Sequence, residues 1–169
     1  NYFEKTNGEV EIISVKSGKN TISNNTFFEA AGTLTLRHGN GNTLTNNVFF
    51  GNGKPHTGGI RVINGDQVVK NNYHEGLTGH RFGGGFSIMN GVPNSRINRY
   101  HQVDNAKVSN NTFIDVDYLQ FAVGSDAERS AVPINSEFSD NLISHSQNID
   151  GIKIFDDISG IAFSGNVVN

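Results

Sequence analysis

A short asparagine-centred motif recurs along the whole chain and constrains the fold more than any other feature. The anchor residues Asn1, Asn25, Asn47, Asn72, Asn111, Asn141 and Asn166 are separated by 24, 22, 25, 39, 30 and 25 residues. The motif is clearest in ISNNTFFEA (22–30), LTNNVFFGN (44–52) and VSNNTFIDV (108–116). A period in the low twenties dominates, and such self-similarity is typical of repeat architectures.

Short runs of alternating or β-branched residues lie between the anchors and are bounded by Gly or Asn turn signals. They are EVEIISVKS (9–17), GTLTLRH (32–38), GGIRVIN (58–64), FSIMN (86–90), LQFAVGS (119–125) and GIKIFD (151–156). A unit of this size cannot bury its own apolar face, but stacked units bury it together. The pattern therefore predicts an all-β fold, a right-handed parallel β-helix of about seven coils that forms a single domain over residues 1–169.

Within this fold we expect the anchor asparagines to form an amide ladder along the stack. We also expect the Phe, Val, Leu or Tyr two residues beyond each anchor to stack inside. His74, Glu75 and the glycines at 83–85 are interpreted as structural. The alternative fold is a β-sandwich with Asn-rich hairpins, but a sandwich does not impose one residue at a constant period.

Composition excludes several other classes of protein. The chain holds 24 Asn and 20 Gly in 169 residues, too many turn formers for a helical bundle. The net charge of -3 shows no overall excess of the positive charge that nucleic-acid binding needs. The lack of cysteine excludes disulfides and thiolate metal sites. No apolar run approaches the length of a transmembrane helix. We therefore expect neither a nucleic-acid nor a membrane partner.

Two features interrupt the repeat. The 39-residue interval holds about 15 residues more than one coil, within residues 77–105, and long insertions in compact folds are usually functional loops or disordered. This one is rich in Arg, His and Tyr. The chain also begins and ends inside a repeat with no capping element, which predicts a fragment of a longer β-helix.

Three cations occupy similar positions in successive repeats. Lys16, Arg37 and Arg61 precede their anchors by 9, 10 and 11 residues, so we expect them to stack in a column. Leu34 and Leu36 alternate with Arg37, and the neighbours of Arg61 do the same, which places both arginines on the outward, exposed face. Such a column is unfavourable unless an anion lies across it, and a polyanionic ligand would resolve that cost.

Two carboxylates lie just before the first cation. Glu9 and Glu11 are two residues apart on an expected strand, so both leave the same face and can share a hard cation such as Ca²⁺. Two carboxylates are too few for a complete calcium shell, so other oxygens must contribute. The same alternation places Lys16 on the opposite face, so the strand must break, and we expect the break at Ile12–Ile13.

Several segments resemble one family specifically. GEVEIISVKS, LTLRHGNGNTLTNNVFFGNG, TGGIRVI, GLTGHRF and MNGVPNS are similar to polysaccharide lyase family six, the alginate lyases and the related chondroitinase B, and they cover most of residues 1 to about 115. The resemblance implies calcium-assisted β-elimination on a uronic-acid polymer. It assigns the general base to Lys16, the general acid to Arg37 and the calcium carboxylates to Glu9 and Glu11. A further calcium ligand of the family, an Asn, is expected upstream of residue 1.

The resemblance also favours substrate-binding roles for residues of the cation column and the insertion, among them Arg61, Arg81, Tyr100 and His101. His38, which follows Arg37, is a further candidate for a substrate contact, with a packed or turn histidine as the alternative. The expected partner is an anionic uronic-acid polysaccharide, alginate, with poly-mannuronate as substrate and Ca²⁺ as cofactor. Because that polymer lies outside the cell, we expect a secreted or periplasmic protein. Two alternatives stay open: a dermatan sulfate or chondroitin lyase with the same site, and a non-catalytic β-helix that binds polysaccharide.

Overall fold

Three parallel sheets make up the computed structural model, which describes residues 1–147 and 150–169. Sheet A contains β1 (Tyr2–Glu4), β4 (Thr26–Phe28), β7 (Val48–Phe50), β10 (Tyr73–Glu75), β13 (Thr112–Ile114), β16 (Leu142–Ser144) and β19 (Val167–Val168). Sheet B contains β2 (Glu11–Ser14), β5 (Gly32–Thr35), β8 (Thr57–Val62), β11 (Phe86–Met89), β14 (Leu119–Val123) and β17 (Ile152–Ile154). Sheet C contains β3 (Thr21–Ser23), β6 (Thr43–Thr45), β9 (Val68–Lys70), β12 (Lys107–Ser109), β15 (Ser136–Ser139) and β18 (Ile161–Ser164).

The chain visits the three sheets in strict rotation, and each strand pairs in parallel with its equivalent one coil away. In sheet A, for example, β4 lies between β1 and β7. This is the parallel β-helix that the repeat predicts, and parallel crossovers of this kind are right-handed in almost all proteins. No helix in the described ranges is long and apolar enough to cross a membrane.

The predicted amide ladder is confirmed. Each anchor Nδ2 donates to the Oδ1 of the next anchor along the stack, at distances of 2.8 to 3.0 Å. Inner anchors such as Asn47 and Asn72 are buried and also donate to strand carbonyls of the preceding coil. The ladder therefore satisfies polar groups at a turn that is closed to water.

Aromatic rings stack beside the amide ladder, as expected. The ring centroids of Phe3, Phe27 and Phe49 are 4.8 and 4.6 Å apart in sequence along the stack. The fourth coil differs from the expectation, because its position two residues beyond the anchor holds His74. This imidazole lies 4.7 Å from both Phe49 and Phe113, and burial lowers its pKa to about 3. His74 is thus part of the core, in agreement with its structural interpretation.

The extra residues of the long interval are concentrated at one point. Residues 90–106 connect β11 to β12, whereas only residues 63–67 connect β8 to β9 in the preceding coil. A single turn of 3-10 helix, Arg81–Gly83, precedes β11. The insertion therefore leaves the β-helix at the end of sheet B, which places it beside the outward face of that sheet.

Candidate active site

The outward face of sheet B carries a row of polar side chains. Register places Ser14 beside Thr35, Thr35 beside Arg61, Arg61 beside Ser87, and Ser87 beside Gln120. The alternate positions, including Leu34 and Ile60, point into the core. Because successive strand residues alternate in direction, the apolar pattern of each strand sets which side chains reach this face.

Arg61 differs from the expectation on two counts. It lies beside Thr35 and not beside Arg37, so the predicted column of Lys16, Arg37 and Arg61 does not form. Its side chain is also buried, with 1% exposed, so the prediction of an exposed arginine is wrong. The guanidinium forms an ion pair with Glu11 and donates to the Phe82 carbonyl at 3.1 Å.

Burial lowers the pKa of Arg61, and the Glu11 carboxylate opposes that shift. The physical reason for the inward position is this pairing: a charged group leaves water only when a partner and hydrogen bonds compensate it. The ion pair between Arg61 and Glu11 therefore fixes the positions of both side chains on the outward face of sheet B. The predicted contact of Arg61 with substrate stays a prediction.

Lys16, Arg37 and His38 lie side by side on adjacent coils. Val15 donates to the Thr35 carbonyl at 2.9 Å, and His38 donates back to the Val15 carbonyl at 2.9 Å. Lys16 is exposed, whereas Arg37 and His38 are half-buried. Burial lowers the pKa of His38, and the positive charges of Arg37, Lys16 and His101 add to that effect. These four groups therefore share one electrostatic environment.

Two buried nitrogens in this cluster have no hydrogen-bond partner among the described residues. They are one terminal nitrogen of Arg37 and Nδ1 of His38. Buried polar groups are normally satisfied, so unpaired ones need an explanation. Both nitrogens are closed to solvent, so a ligand on this face would meet the exposed atoms of the cluster and not these two.

Tyr100 reaches the cluster from the insertion and forms an aromatic platform with Phe82. The Arg37 guanidinium lies 4.1 Å from the centre of the Tyr100 ring, which is close enough for a cation–π contact. Arg61 lies 5.5 Å from the Phe82 ring, and Arg129 lies 5.7 Å from Phe82 and 5.8 Å from Tyr100. Two aromatic rings thus fix the positions of three guanidinium groups.

The other predicted substrate-binding residues lie around this platform. His101 adjoins His38 and lines two cavities at the base of the insertion. Arg81 is exposed at the start of the 3-10 helix, where Gln120 binds its backbone N–H at 2.8 Å and its carbonyl at 2.7 Å. The structure brings His38, Tyr100 and His101 together with Lys16 and Arg37, while the Arg81 side chain forms no hydrogen bond or ion pair with the described residues.

The predicted calcium carboxylates lie in different local structures. β2 begins at Glu11, so Glu9 lies in the preceding bend, and its expected place on the same strand is wrong. Glu9 is exposed and lines a cavity of about 410 Å³ that also includes His56 and His80. The pairing of β2 with β5 shifts between Glu11 and Ile13, which confirms the break expected at Ile12–Ile13.

These two carboxylates suit a hard cation by their oxygen chemistry, but they fall short in number. One oxygen of Glu11 is held by Arg61. Within residues 1–147 and 150–169, no three Asp, Glu, His or Cys side chains converge as a metal site. Since Ca²⁺ takes six to eight oxygens, Glu9 and Glu11 can supply only part of a shell.

Sequence reasoning missed Phe82, Arg129 and the second role of Glu11. Phe82 stands in GHRFGGG, where only the arginine and the glycines carry a recognisable pattern. Arg129 lies in the 30-residue interval between Asn111 and Asn141, which exceeds the dominant period. That excess was the available signal, because it marks a second loop beside the first.

Comparison with solved structures shows that family six alginate lyases share this fold. The chain is 69% identical to the family six alginate lyase AlyGC, with a TM-score of 0.99. The match covers 100% of this chain and 23% of the AlyGC chain. A mannuronic acid specific family six lyase from human gut microbiota is 29% identical, with a TM-score of 0.85 and coverage of 99% and 40%. A family six alginate lyase in complex with trisaccharide is 28% identical, with a TM-score of 0.75 and coverage of 99% and 42%.

The chain thus spans less than half the length of these solved relatives. No curated protein matches it. The family model for chondroitinase B, however, matches all of residues 1–169. On that match, and on the agreement with the solved alginate lyases, the chain belongs to the chondroitinase B family of polysaccharide lyases.

Proposed function

We propose that this chain carries the catalytic face of an alginate lyase that cleaves poly-mannuronate by β-elimination. The observation that carries the proposal is the convergence of Lys16, Arg37 and His38 on one outward face beside the Arg61–Glu11 pair. The 69% identity to AlyGC supports alginate as the polymer, and the mannuronic acid specificity of a more distant relative supports the monomer.

In the reaction, a base removes the proton from C5 of a uronate, the C4–O4 bond breaks, a C4–C5 double bond forms, and O4 leaves with a proton. Lys16 is the proposed base. For this role its amine must offer a free electron pair to the C5 proton. Its exposure leaves the amine free to meet a polymer from the solvent side.

Arg37 is the proposed partner of the departing oxygen. A guanidinium holds its protons tightly, so it acts best by hydrogen bonding and by stabilising the charge that develops on O4, which then takes its proton from water. Arg37 is half-buried, so part of the guanidinium still faces the solvent side, and the Tyr100 ring fixes it in place. Pre-organised donors of this kind are worth several kcal/mol in order of magnitude.

Calcium is the proposed cofactor, with Glu9 and Glu11 as its ligands from this chain. The remaining oxygens must come from the uronate, from water or from elsewhere in the protein. When bound, the ion would act as a Lewis acid on the uronate carboxylate and make the C5 proton more acidic. We further propose a secreted or periplasmic location, because the polymer is extracellular.

A second candidate is a lyase for dermatan sulfate or chondroitin sulfate, which the match to the chondroitinase B family model favours. The two candidates share the elimination chemistry and differ in whether the groove accepts a sulfate beside the carboxylate. Activity on sulfated polymer therefore separates them.

The test incubates the full chain with poly-mannuronate or with dermatan sulfate, in calcium or in chelator, and follows the ultraviolet absorbance of the unsaturated product. We expect calcium-dependent product from poly-mannuronate. Lys16→Ala should abolish turnover while polymer binding persists, and Lys70→Ala, which removes an exposed lysine on sheet C, should leave turnover unchanged. Polymer binding without turnover by the wild-type protein would indicate a binding module and overturn the proposal.

A further inference from the structure

A cavity of about 440 Å³ lies beside the reacting groups, at the edge where β2, β5 and β8 leave sheet B. Its walls include Lys19, His38, Asn40, Ile97 and His101. Because His38 follows directly on Arg37, the cavity adjoins the proposed catalytic face. Its volume lies within the range of about 300–1,000 Å³ that is typical of ligand sites.

The charge of this cavity is uncompensated. Within the described ranges, no carboxylate lies within 4.0 Å of the Lys19 amine, as the ion pairs of the structure involve only two other lysines, Lys5 and Lys153. The positive groups that act on His38 are Arg37, Lys16 and His101, and the opposing acidic one is Glu11. Since Glu11 is already paired with Arg61, the cavity offers its positive charge to an anion from solution.

An apolar side chain of the insertion also lines this cavity. Ile97, in the insertion, is 84% exposed, the highest exposure among the large apolar residues of the described chain. A single exposed Ile carries no meaning alone, but this one lines the cavity that holds Lys19. A cation and an apolar side chain in one cavity suit a uronate residue, which presents a carboxylate and an apolar C–H surface.

Building on the proposed lyase function, we propose that this cavity is an additional uronate-binding subsite, in which Lys19 binds the carboxylate and Ile97 packs against the sugar ring. The cavity lined by Glu9 lies at the opposite end of the same strands. The polymer therefore crosses the catalytic face along the strand direction of sheet B, between the two cavities, and Lys19 contacts a sugar outside the cleaved bond.

The backbone at Lys19 supplies a clean variant. Its φ of 59° is in the left-handed region, which Asn adopts more readily than Lys. Lys19→Asn thus removes the cation without a steric cost, and unfolding by urea should show stability equal to or above that of the wild type. Ile97→Asn tests the apolar wall, and Lys70→Asn removes an exposed lysine on a different sheet as the control.

The experiment measures kcat and KM of the full chain on mannuronate oligomers of increasing length. For oligomers long enough to reach the cavity, we expect Lys19→Asn to raise KM about tenfold with kcat within about twofold, as for the loss of one charge-assisted hydrogen bond. For the shortest oligomer that is cleaved, KM should not change, and Lys70→Asn should match the wild type at every length.

An unchanged KM for Lys19→Asn on long oligomers would overturn the subsite while leaving the lyase function intact. A failure of the lyase function itself is recognised separately, because the wild-type protein would then release no unsaturated product. In that case, calorimetric titration with saturated mannuronate oligomers decides: weaker binding by Lys19→Asn supports the subsite, and equal binding by both proteins refutes it.

Discussion

His74 makes the stability of this β-helix sensitive to acid, and the size of the effect follows from its position. The imidazole is fully buried between Phe49 and Phe113, and its pKa is about 3 against an ordinary value of 6.5. Neither ring nitrogen has a hydrogen bond of acceptable geometry among the described residues, although the Thr112 backbone slightly opposes the shift. Burial is the dominant cause.

The sign follows from proton binding. Because the folded pKa is depressed, the unfolded chain binds more protons between pH 6.5 and about 3, and stability falls as the pH falls through that window. At about 1.36 kcal/mol per pKa unit, lowering the pH from neutral to about 4.5 costs about 2.7 kcal/mol from this group alone. Above pH 6.5 the imidazole is neutral in both the folded and the unfolded chain, so this acid penalty is absent there.

His74→Phe should remove this term. It continues the aromatic stack, whose neighbouring rings are 4.7 Å away, and it eliminates two unsatisfied nitrogens. We expect the free energy of unfolding to be higher than in the wild type, by about 1–3 kcal/mol at neutral pH and by about 2.7 kcal/mol more near pH 4.5.

The assay is urea unfolding of both proteins, followed by circular dichroism at several pH values. Phe49→Leu is the control, because it weakens the same stack without changing a titratable group, so its difference from the wild type should not vary with pH. If the difference between His74→Phe and the wild type is also constant with pH, the reasoning about the buried imidazole is wrong.

Three further predictions test the frame and the site. Asn47→Ala should lower the free energy of unfolding by about 2–4 kcal/mol in urea titration, because it breaks the amide ladder and leaves buried partners unpaired, whereas the adjacent exposed Asn46→Gly should be near neutral. Glu11→Gln should destabilise by about 3 kcal/mol by leaving the Arg61 guanidinium buried without its partner, and adding Arg61→Met should restore part of that loss. Tyr100→Leu should lower kcat/KM several-fold through loss of the contact with Arg37, while Tyr100→Phe keeps the ring and most of the activity.

The repeating frame was predictable because it follows from a local rule applied many times. Each anchor places an amide at the same turn, and the ladder through Asn47 and Asn72 forms as the spacing indicates. The strand break at Ile12–Ile13 was also predictable, since alternation alone could not bring Glu11 and Lys16 to one site. Both inferences depend only on residues that are close in sequence.

The position of Arg61 was not predictable from the anchors. Thr35 pairs with Arg61 and Thr43 pairs with Val68, so the passage from sheet B to sheet C takes eight residues in one coil and seven in the next. Arg37 and Arg61 already differed by one residue in their distance from the anchor. The total offset of two residues keeps both side chains on the same face but moves Arg61 away from Arg37 and towards Glu11.

The remaining parts of the site come from segments that do not follow the period. Tyr100 and Arg129 belong to loops in the two longest intervals, and they meet Phe82 over the face of sheet B. A period can show where such loops leave the frame, but it cannot show which side chains meet, since that depends on loop conformation. The division has a physical reason: the stacked coils supply rigid, repeated positions for Lys16 and Arg37, and the loops supply the specific contacts that fix Arg37 and enclose the groove. Substitutions in the loops should therefore change activity more than stability, and substitutions in the ladders should do the reverse.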